Sequence, residues 1–199
     1  MTIRHHPTEL ALMDYANGKL DVGRHLVVEA HLARCAQCRE FLSLADQMGG
    51  LLLDEIEPVA AAKNALATTF TKIDSASDED RTKKPVRFGK WRHIGPRIEL
   101  RSVALPDQAE TRVFMLRARG GTWLPKHSHS GLEWTCVLEG AFSHAGGTYG
   151  PGDFDEADDT VRHHPFVEKG IPCVCLVALK GNVVFESWIG RLIQPFVKL

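Results

Sequence analysis

The stretch Gly121-Thr-Trp-Leu-Pro-Lys-His127-Ser-His129-Ser-Gly-Leu-Glu133, running on through Trp134-Thr-Cys-Val-Leu-Glu to Gly140, decides how this chain is read. In an extended strand alternate side chains share a face, so His127 and His129 point the same way. Ser130-Gly131 suits a tight turn, and Glu133 opens the β-rich run Glu133-Trp-Thr-Cys-Val-Leu. That run can double back and bring its carboxylate beside the two imidazoles. Two imidazoles and a carboxylate on adjacent strands form a site for Zn, Fe, Ni or Mn. Packing alone explains such a trio badly, because buried polar groups without partners are costly. Gly150-Pro-Gly152-Asp153 reads as a turn, and His163-His164-Pro165 follows it. Only one of two neighbouring histidines on a strand can face inward.

A second metal signature lies near the N-terminus, His31-x3-Cys35-x2-Cys38. Two thiolates and an imidazole suit zinc, which favours tetrahedral sulfur and nitrogen coordination. Asp21 can cap a helix from Val22 to about Arg34, with Leu26, Val27, Ala30 and Ala33 on or near its apolar face. His31 then sits in the last turn, Cys35 at a helix-helix corner and Cys38 in the first turn of the next helix. One zinc would clip two helices together where a short segment has little core of its own. His5 and His6, just before Pro7, are the nearest candidates for a fourth ligand. A thioredoxin-like reading of Cys-Ala-Gln-Cys lacks the preceding strand and the βαβ context it needs.

These two patterns carry a family resemblance. The spacing Gly-x5-His-x-His-x3-Glu-x6-Gly over 121–140 resembles the first cupin motif at every specified position. The second cupin motif matches loosely: its histidine comes eleven residues after Gly152, and the usual asparagine is missing. The N-terminal pattern resembles the zinc-binding anti-sigma domain, whose hallmark is an N-terminal His followed by His-x3-Cys-x2-Cys. Both halves, in this order, resemble the ChrR-type anti-sigma factors over nearly the full chain. The resemblance implies His6 as the fourth zinc ligand, within the opening Met-Thr-Ile-Arg-His5-His6-Pro. It also implies His163, from a His-x-Pro pattern, as the fourth ligand of the barrel site. His164 is left as a rim residue.

Composition agrees with two small domains. The chain has 199 residues, 44% of them hydrophobic, and a formal net charge of −1, ordinary for a soluble globular protein. A near-neutral balance argues against direct nucleic-acid binding, which needs a basic stripe. No apolar run reaches the length of a membrane span, and no signal-peptide core opens the chain. Five cysteines, two of them in a metal motif, fit a reducing, cytoplasmic setting better than a disulfide framework. The polar run Ser75-Ala-Ser-Asp-Glu-Asp-Arg-Thr-Lys-Lys-Pro85 reads as a linker. The expected fold is therefore α + β in two domains. Residues 1–74 form a zinc-stabilised helical bundle, 75–86 a linker, and 87–199 a cupin β-barrel, a double-stranded β-helix or jelly-roll.

Within the first domain, helices are expected from Pro7 to about Ala16 and from Glu57-Pro58 onward. A short apolar turn at Leu51-Leu-Leu is expected after Gly49-Gly50. The helix after Pro58 carries Val59, Ala62, Leu66, Phe70 and Ile73 on one stripe, suited to docking in a partner's groove. Trp123, Trp134 and Phe154 either line the barrel pocket or fill the barrel, and Cys136, Cys173 and Cys175 are expected near the pocket or in the core. The resemblance implies a 1:1 complex with an extracytoplasmic-function sigma factor, released under singlet oxygen or organic hydroperoxides. The alternative is a metal-dependent cupin enzyme, a dioxygenase or isomerase, with an N-terminal zinc regulatory module.

Overall fold

The structure is a computed structural model, and it describes residues 2–75, 86–105 and 110–186. The expected linker at 75–86 falls almost wholly outside the described residues, as does the end of the expected barrel domain beyond 186. Among the described residues four helices precede thirteen short strands: α1 (Glu9–Ala16), α2 (Val22–Leu32), α3 (Ala36–Asp54) and α4 (Ala65–Ser75), then β1 (Arg87–Phe88) to β13 (Val183–Phe185).

Local chemistry sets the helix ends. Thr8 caps α1 by accepting from the Ala11 N–H, and Asp21 caps α2 by accepting from Gly23 and Arg24. Cys35 is itself the N-cap of α3, its sulfur accepting from the Cys38 N–H at 3.4 Å. Two sequence expectations are corrected. Helix α3 runs straight through Gly49-Gly50 to Asp54, so Leu51-Leu-Leu is its last turn. Each glycine weakens a helix by only about 1 kcal/mol, and the good helix formers around the pair outweigh that. The last helix begins at Ala65, not at Pro58. Glu57 is a poor cap, whereas Asn64 is a favoured one, and its carbonyl accepts the Thr68 N–H.

Among the described residues all strand pairs are antiparallel. The main sheet runs β1-β3-β4-β12-β6-β9, where β3 is Ile98–Ala104, β4 Arg112–Ala118, β6 Glu133–Glu139, β9 Phe154–Ala157 and β12 Cys173–Leu179; β2 (Arg92–Gly95) also pairs with β3. Two three-stranded sheets complete the cupin-like half, β10 (Arg162–His163) with β5 (His127–His129) and β13, and β11 (Phe166–Val167) with β7 (Phe142–His144) and β8 (Gly147–Tyr149).

The period of two along β12 explains the layout. Cys173, Cys175, Val177 and Leu179 face the barrel interior with Phe114, Val137 and Phe185. Leu176 and Ala178 face the other way, joining Val113, Trp134, Cys136 and Phe154 in a core shared with Leu12, Val27, Val28 and Leu32 of the helices. Every residue of β12 is buried because both faces of that strand are covered. The helices α1 and α2 are thus docked on the outside of the barrel sheet. A Cβ built on Gly23 of α2 would overlap Thr111 Oγ1 and lie 2.9 Å from Val113 Cγ2, which measures how close the approach is. Helix α4 has no buried residue, and Leu44, Met48, Leu51, Leu52 and Leu53 on α3 are all exposed.

Candidate metal centres

The first cluster joins three elements. His31 ends α2, Cys35 caps α3, Cys38 lies in its first turn, and His6 comes from the extended segment before α1. His6 Nδ1 lies 3.3 Å from both Cys35 Sγ and Cys38 Sγ, and His31 Nε2 lies 3.3 Å from Cys38 Sγ. All four donor atoms fall within 4.8 Å of one another. Sulfur and nitrogen ligands on a tetrahedral zinc sit about 3.5 Å apart, given bonds of about 2.3 and 2.0 Å. The spacing therefore fits one zinc ion. Burial, then Cys35, pushes the Cys38 thiol up to about 12. A coordinated dication reverses that preference by stabilising the thiolate.

The orientation of His31 is set from the barrel. Its Nδ1 lies 2.7 Å from the Gly152 carbonyl, which only an Nδ1–H can satisfy, so Nε2 presents its lone pair to the thiols. Burial lowers the pKa of His31, keeping the ring neutral. His5 is placed elsewhere, its ring 4.2 Å from that of Tyr149.

The second cluster lies inside the barrel. His127 and His129 share one face of β5, and β10 runs antiparallel beside it with His163 paired directly to His127. Glu133 opens β6 after the Ser130-Gly131 bend. His127 Nε2 is 2.9 Å from His163 Nε2, His129 Nε2 is 3.4 Å from Glu133 Oε2, and His163 Nε2 is 4.0 Å from Glu133 Oε1. Ligand atoms at about 2.1 Å from one ion lie about 3.0 Å apart in an octahedron and about 3.4 Å apart in a tetrahedron. Among the described residues, His129 Nε2 is buried without a hydrogen-bond partner, aimed at the same point. A divalent ion would satisfy it. His127 Nδ1 faces the Pro125 carbonyl at 2.7 Å, which fixes its tautomer and turns Nε2 inward.

Electrostatics agree. Burial, then the His127 charge, lowers His163 to about 4, and burial also lowers His127, so both are neutral ligands at neutral pH. Burial opposes ionisation of Glu133, yet the surrounding histidines, His129 first, hold its carboxyl below the usual range. Burial works against charge on His129 too, but Glu133 raises it. His164 is exposed and packs against Trp123, with ring centroids 4.5 Å apart.

The ligand cluster opens on a cavity of about 110 Å³, walled by Phe114, Leu116, Leu124, Phe142, Val183 and Phe185. Cys173 and Cys175 line it, their sulfurs 3.6 Å apart. Cys136 lies in the core shared with the helices, the packing role expected of a small buried residue, and burial pushes its thiol up to about 12. The expectation that Trp123, Trp134 and Phe154 line the pocket or fill the barrel is corrected. Trp134 and Phe154 belong to that outer core, and Trp123 is an exposed rim residue. Strand alternation separates these faces once register is known, but the sequence alone does not give the register. Sequence reading also missed a buried pair beside the cluster, His144 and Asp155. Gly146 N–H donates to His144 Nδ1 at 3.0 Å, so Nε2 carries the proton and donates to Asp155 Oδ2, also at 3.0 Å. That tautomer makes His144 a donor to a carboxylate and not a metal ligand. Its spacing in sequence from the motifs offered no signal.

Comparison with known proteins places the chain. The family described as "ChrR Cupin-like domain" matches residues 86–181, and that described as "Putative zinc-finger" matches 8–39. The Anti-sigma-E factor ChrR of Cereibacter sphaeroides is 34% identical over 215 aligned residues, covering 100% of both chains. The crystal structure of Rhodobacter sphaeroides SigE in complex with the anti-sigma ChrR matches with a TM-score of 0.73 and 36% identity, covering 89% of this chain and 99% of that one. Both relatives are named as anti-sigma factors. No described helix is long and apolar enough to cross a membrane. With zinc-finger and cupin-like halves in this order and full-length identity to a characterised relative, the chain belongs to the ChrR family of anti-sigma factors.

Proposed function

We propose that this protein sequesters an extracytoplasmic-function sigma factor in a 1:1 complex in the cytoplasm, through residues 1–74. The observation that carries this reading is the exposed apolar surface of α3 and α4. Leu51 is 69% exposed and Phe70 56%, and no residue of α4 is buried. Exposed leucines and a phenylalanine at helical spacing suit docking against a partner. The ChrR relative was solved with SigE bound, which supports a sigma factor as that partner. His6, His31, Cys35 and Cys38 hold zinc, which fixes the α2–α3 corner that presents α3. His127, His129, Glu133 and His163 hold zinc or another divalent metal in the barrel, residues 87–199, joined through 75–86.

The barrel is the sensory half, and the signal is singlet oxygen or an organic hydroperoxide. Its apolar walls with a polar, metal-ligating floor suit a small oxidised organic molecule, and its imidazoles and thiols are oxidisable groups. Bound metal supplies Lewis acidity at that floor. A pull-down from the native cytoplasm, with the full chain and with a chain lacking residues 1–85, tests the partner. Mass-spectrometric identification of a sigma factor with the full chain alone is the expected result. Equal capture by both, or by neither, refutes the assignment.

A further inference from the structure

One turn and one strand separate the two clusters, and both of their faces are engaged. Gly150-Pro-Gly152-Asp153 leads into β9 (Phe154–Ala157). Toward the helices, the Gly152 carbonyl orients His31. Asp153 is only 5% exposed, yet its carboxylate is fully used. Oδ1 accepts from the Arg4 N–H at 2.7 Å and the His5 N–H at 2.9 Å, and Oδ2 accepts from the Gly150 N–H at 2.7 Å. The Phe154 N–H donates to the His5 carbonyl at 3.0 Å. Residues 2–7 have no secondary structure of their own, so these bonds are what place the backbone next to His6. Gly152 has φ +93°, and a Cβ there would reach Ile3 Cδ1 at 2.6 Å. The turn is shaped around the incoming N-terminal segment.

Toward the barrel, Asp155 lies two residues further on. It accepts from His144 Nε2–H and from the Tyr149 hydroxyl, and it lines the cavity beside His127, Glu133 and His163. The His144 ring packs edge-on against His163, with centroids 5.2 Å apart. Tyr149 in turn packs on His5. The ligand cluster in the barrel is thus joined, through His144 and Asp155, to the strand whose start orients the segment carrying His6 and the ring of His31.

We infer that the turn from Gly150 to Asp153 is a positioning element of the zinc cluster, with Asp153 setting His6 and the Gly152 carbonyl setting His31, so that β9 transmits the state of the barrel to the helices. This rests on the proposed division between a binding and a sensing half. It identifies the route by which the second acts on the first. Asp153 and Asp155 act here as positioning residues.

The test uses the full, zinc-loaded chain without any sigma factor, so its outcome is separable from that of partner binding. Zinc release to a chromogenic chelator is timed, and the cobalt(II)-substituted chain is examined for its thiolate charge-transfer and d–d bands. Asp153→Asn puts an amide donor where a backbone N–H already points. Release is expected to quicken about tenfold, as for other residues that orient ligands, with altered cobalt bands. Ile3→Ala loosens the same contact from outside the barrel, and a smaller rise in the same direction is expected even if D153N fails to fold. Asp155→Asn, which contacts neither zinc ligand nor the N-terminal segment, is expected to quicken release as well. Parental rates and bands in D153N and I3A overturn the positioning role, and a parental rate in D155N overturns the transmission.

Discussion

Replacing Gly23 by Ala separates a docked helix from a free one by the sign of its effect. In an isolated helix alanine is better than glycine by about 1 kcal/mol. Gly23, however, is buried where α2 meets the barrel, and its new Cβ would overlap Thr111 Oγ1 and crowd Val113 Cγ2 at 2.9 Å. Overpacking of this kind costs about 1–3 kcal/mol. It also pushes away the Thr111 hydroxyl, which donates to the capping carboxylate of Asp21 at 2.5 Å. A hydrogen bond to a charged acceptor contributes about 1.5–3 kcal/mol. With the helix-propensity gain subtracted, the net loss is about 1.5–5 kcal/mol. For a chain of this size that lowers Tm by at least about 3 °C. Urea and thermal unfolding of the full chain, followed by circular dichroism, read it directly. A variant more stable than the parent by about 1 kcal/mol, the free-helix value, would refute the shared core.

Three further perturbations have clear expected outcomes. Glu133→Gln removes the carboxylate from the barrel cluster, so metal analysis should fall from two metals per chain to one, with the zinc at His6, His31, Cys35 and Cys38 retained; loss of both would show the sites are not separable. Cys38→Ser should lower zinc content, loosen α3 and abolish partner binding, because structural zinc contributes folding free energy directly; unchanged binding would remove the zinc clip from the account. Acidification of metal-free protein should destabilise it through His163. Its folded pKa of about 4 lies below the 6.5 of the free side chain, so the unfolded chain binds the extra proton. This contribution is complete above about pH 6.5 and is lost as pH falls toward 4. Burial shifts His127 the same way, and His129 partly opposes them. His163→Leu should flatten the fall in Tm across that window, and an equally steep fall would refute the buried neutral imidazole.

The barrel site was largely legible because its spacing is a consequence of strand geometry. His127 and His129 alternate across Ser128, and Glu133 follows one bend, so adjacency in sequence is adjacency in space. His163 and His6 were legible only through family resemblance, since each has a neighbouring histidine that spacing cannot exclude. The structure turns His163 and His6 toward their clusters and leaves His164 and His5 packed against Trp123 and Tyr149. The docking of α2 on the main sheet was not legible. It depends on contacts such as Gly23 with Thr111, between residues far apart in sequence and of no distinctive type. The same holds for Asp153. It reads in sequence as an ordinary turn residue, and only the arrival of Arg4 and His5 at its carboxylate reveals its second task. Helix α3 was misjudged because Gly49-Gly50 is a local stop signal that the flanking residues override.

The central claim is that the helical half binds a sigma factor and the barrel decides when. Purified zinc-loaded chain, mixed with the extracytoplasmic-function sigma factor of its own genome and followed by size-exclusion chromatography with light scattering, tests both clauses. A 1:1 complex is predicted in the dark, dissociating when a photosensitiser generates singlet oxygen, and persisting under the same illumination when Glu133 is replaced by Gln in a folded chain. No complex in the dark, or identical dissociation of the parent and the Glu133→Gln chain, would contradict the account.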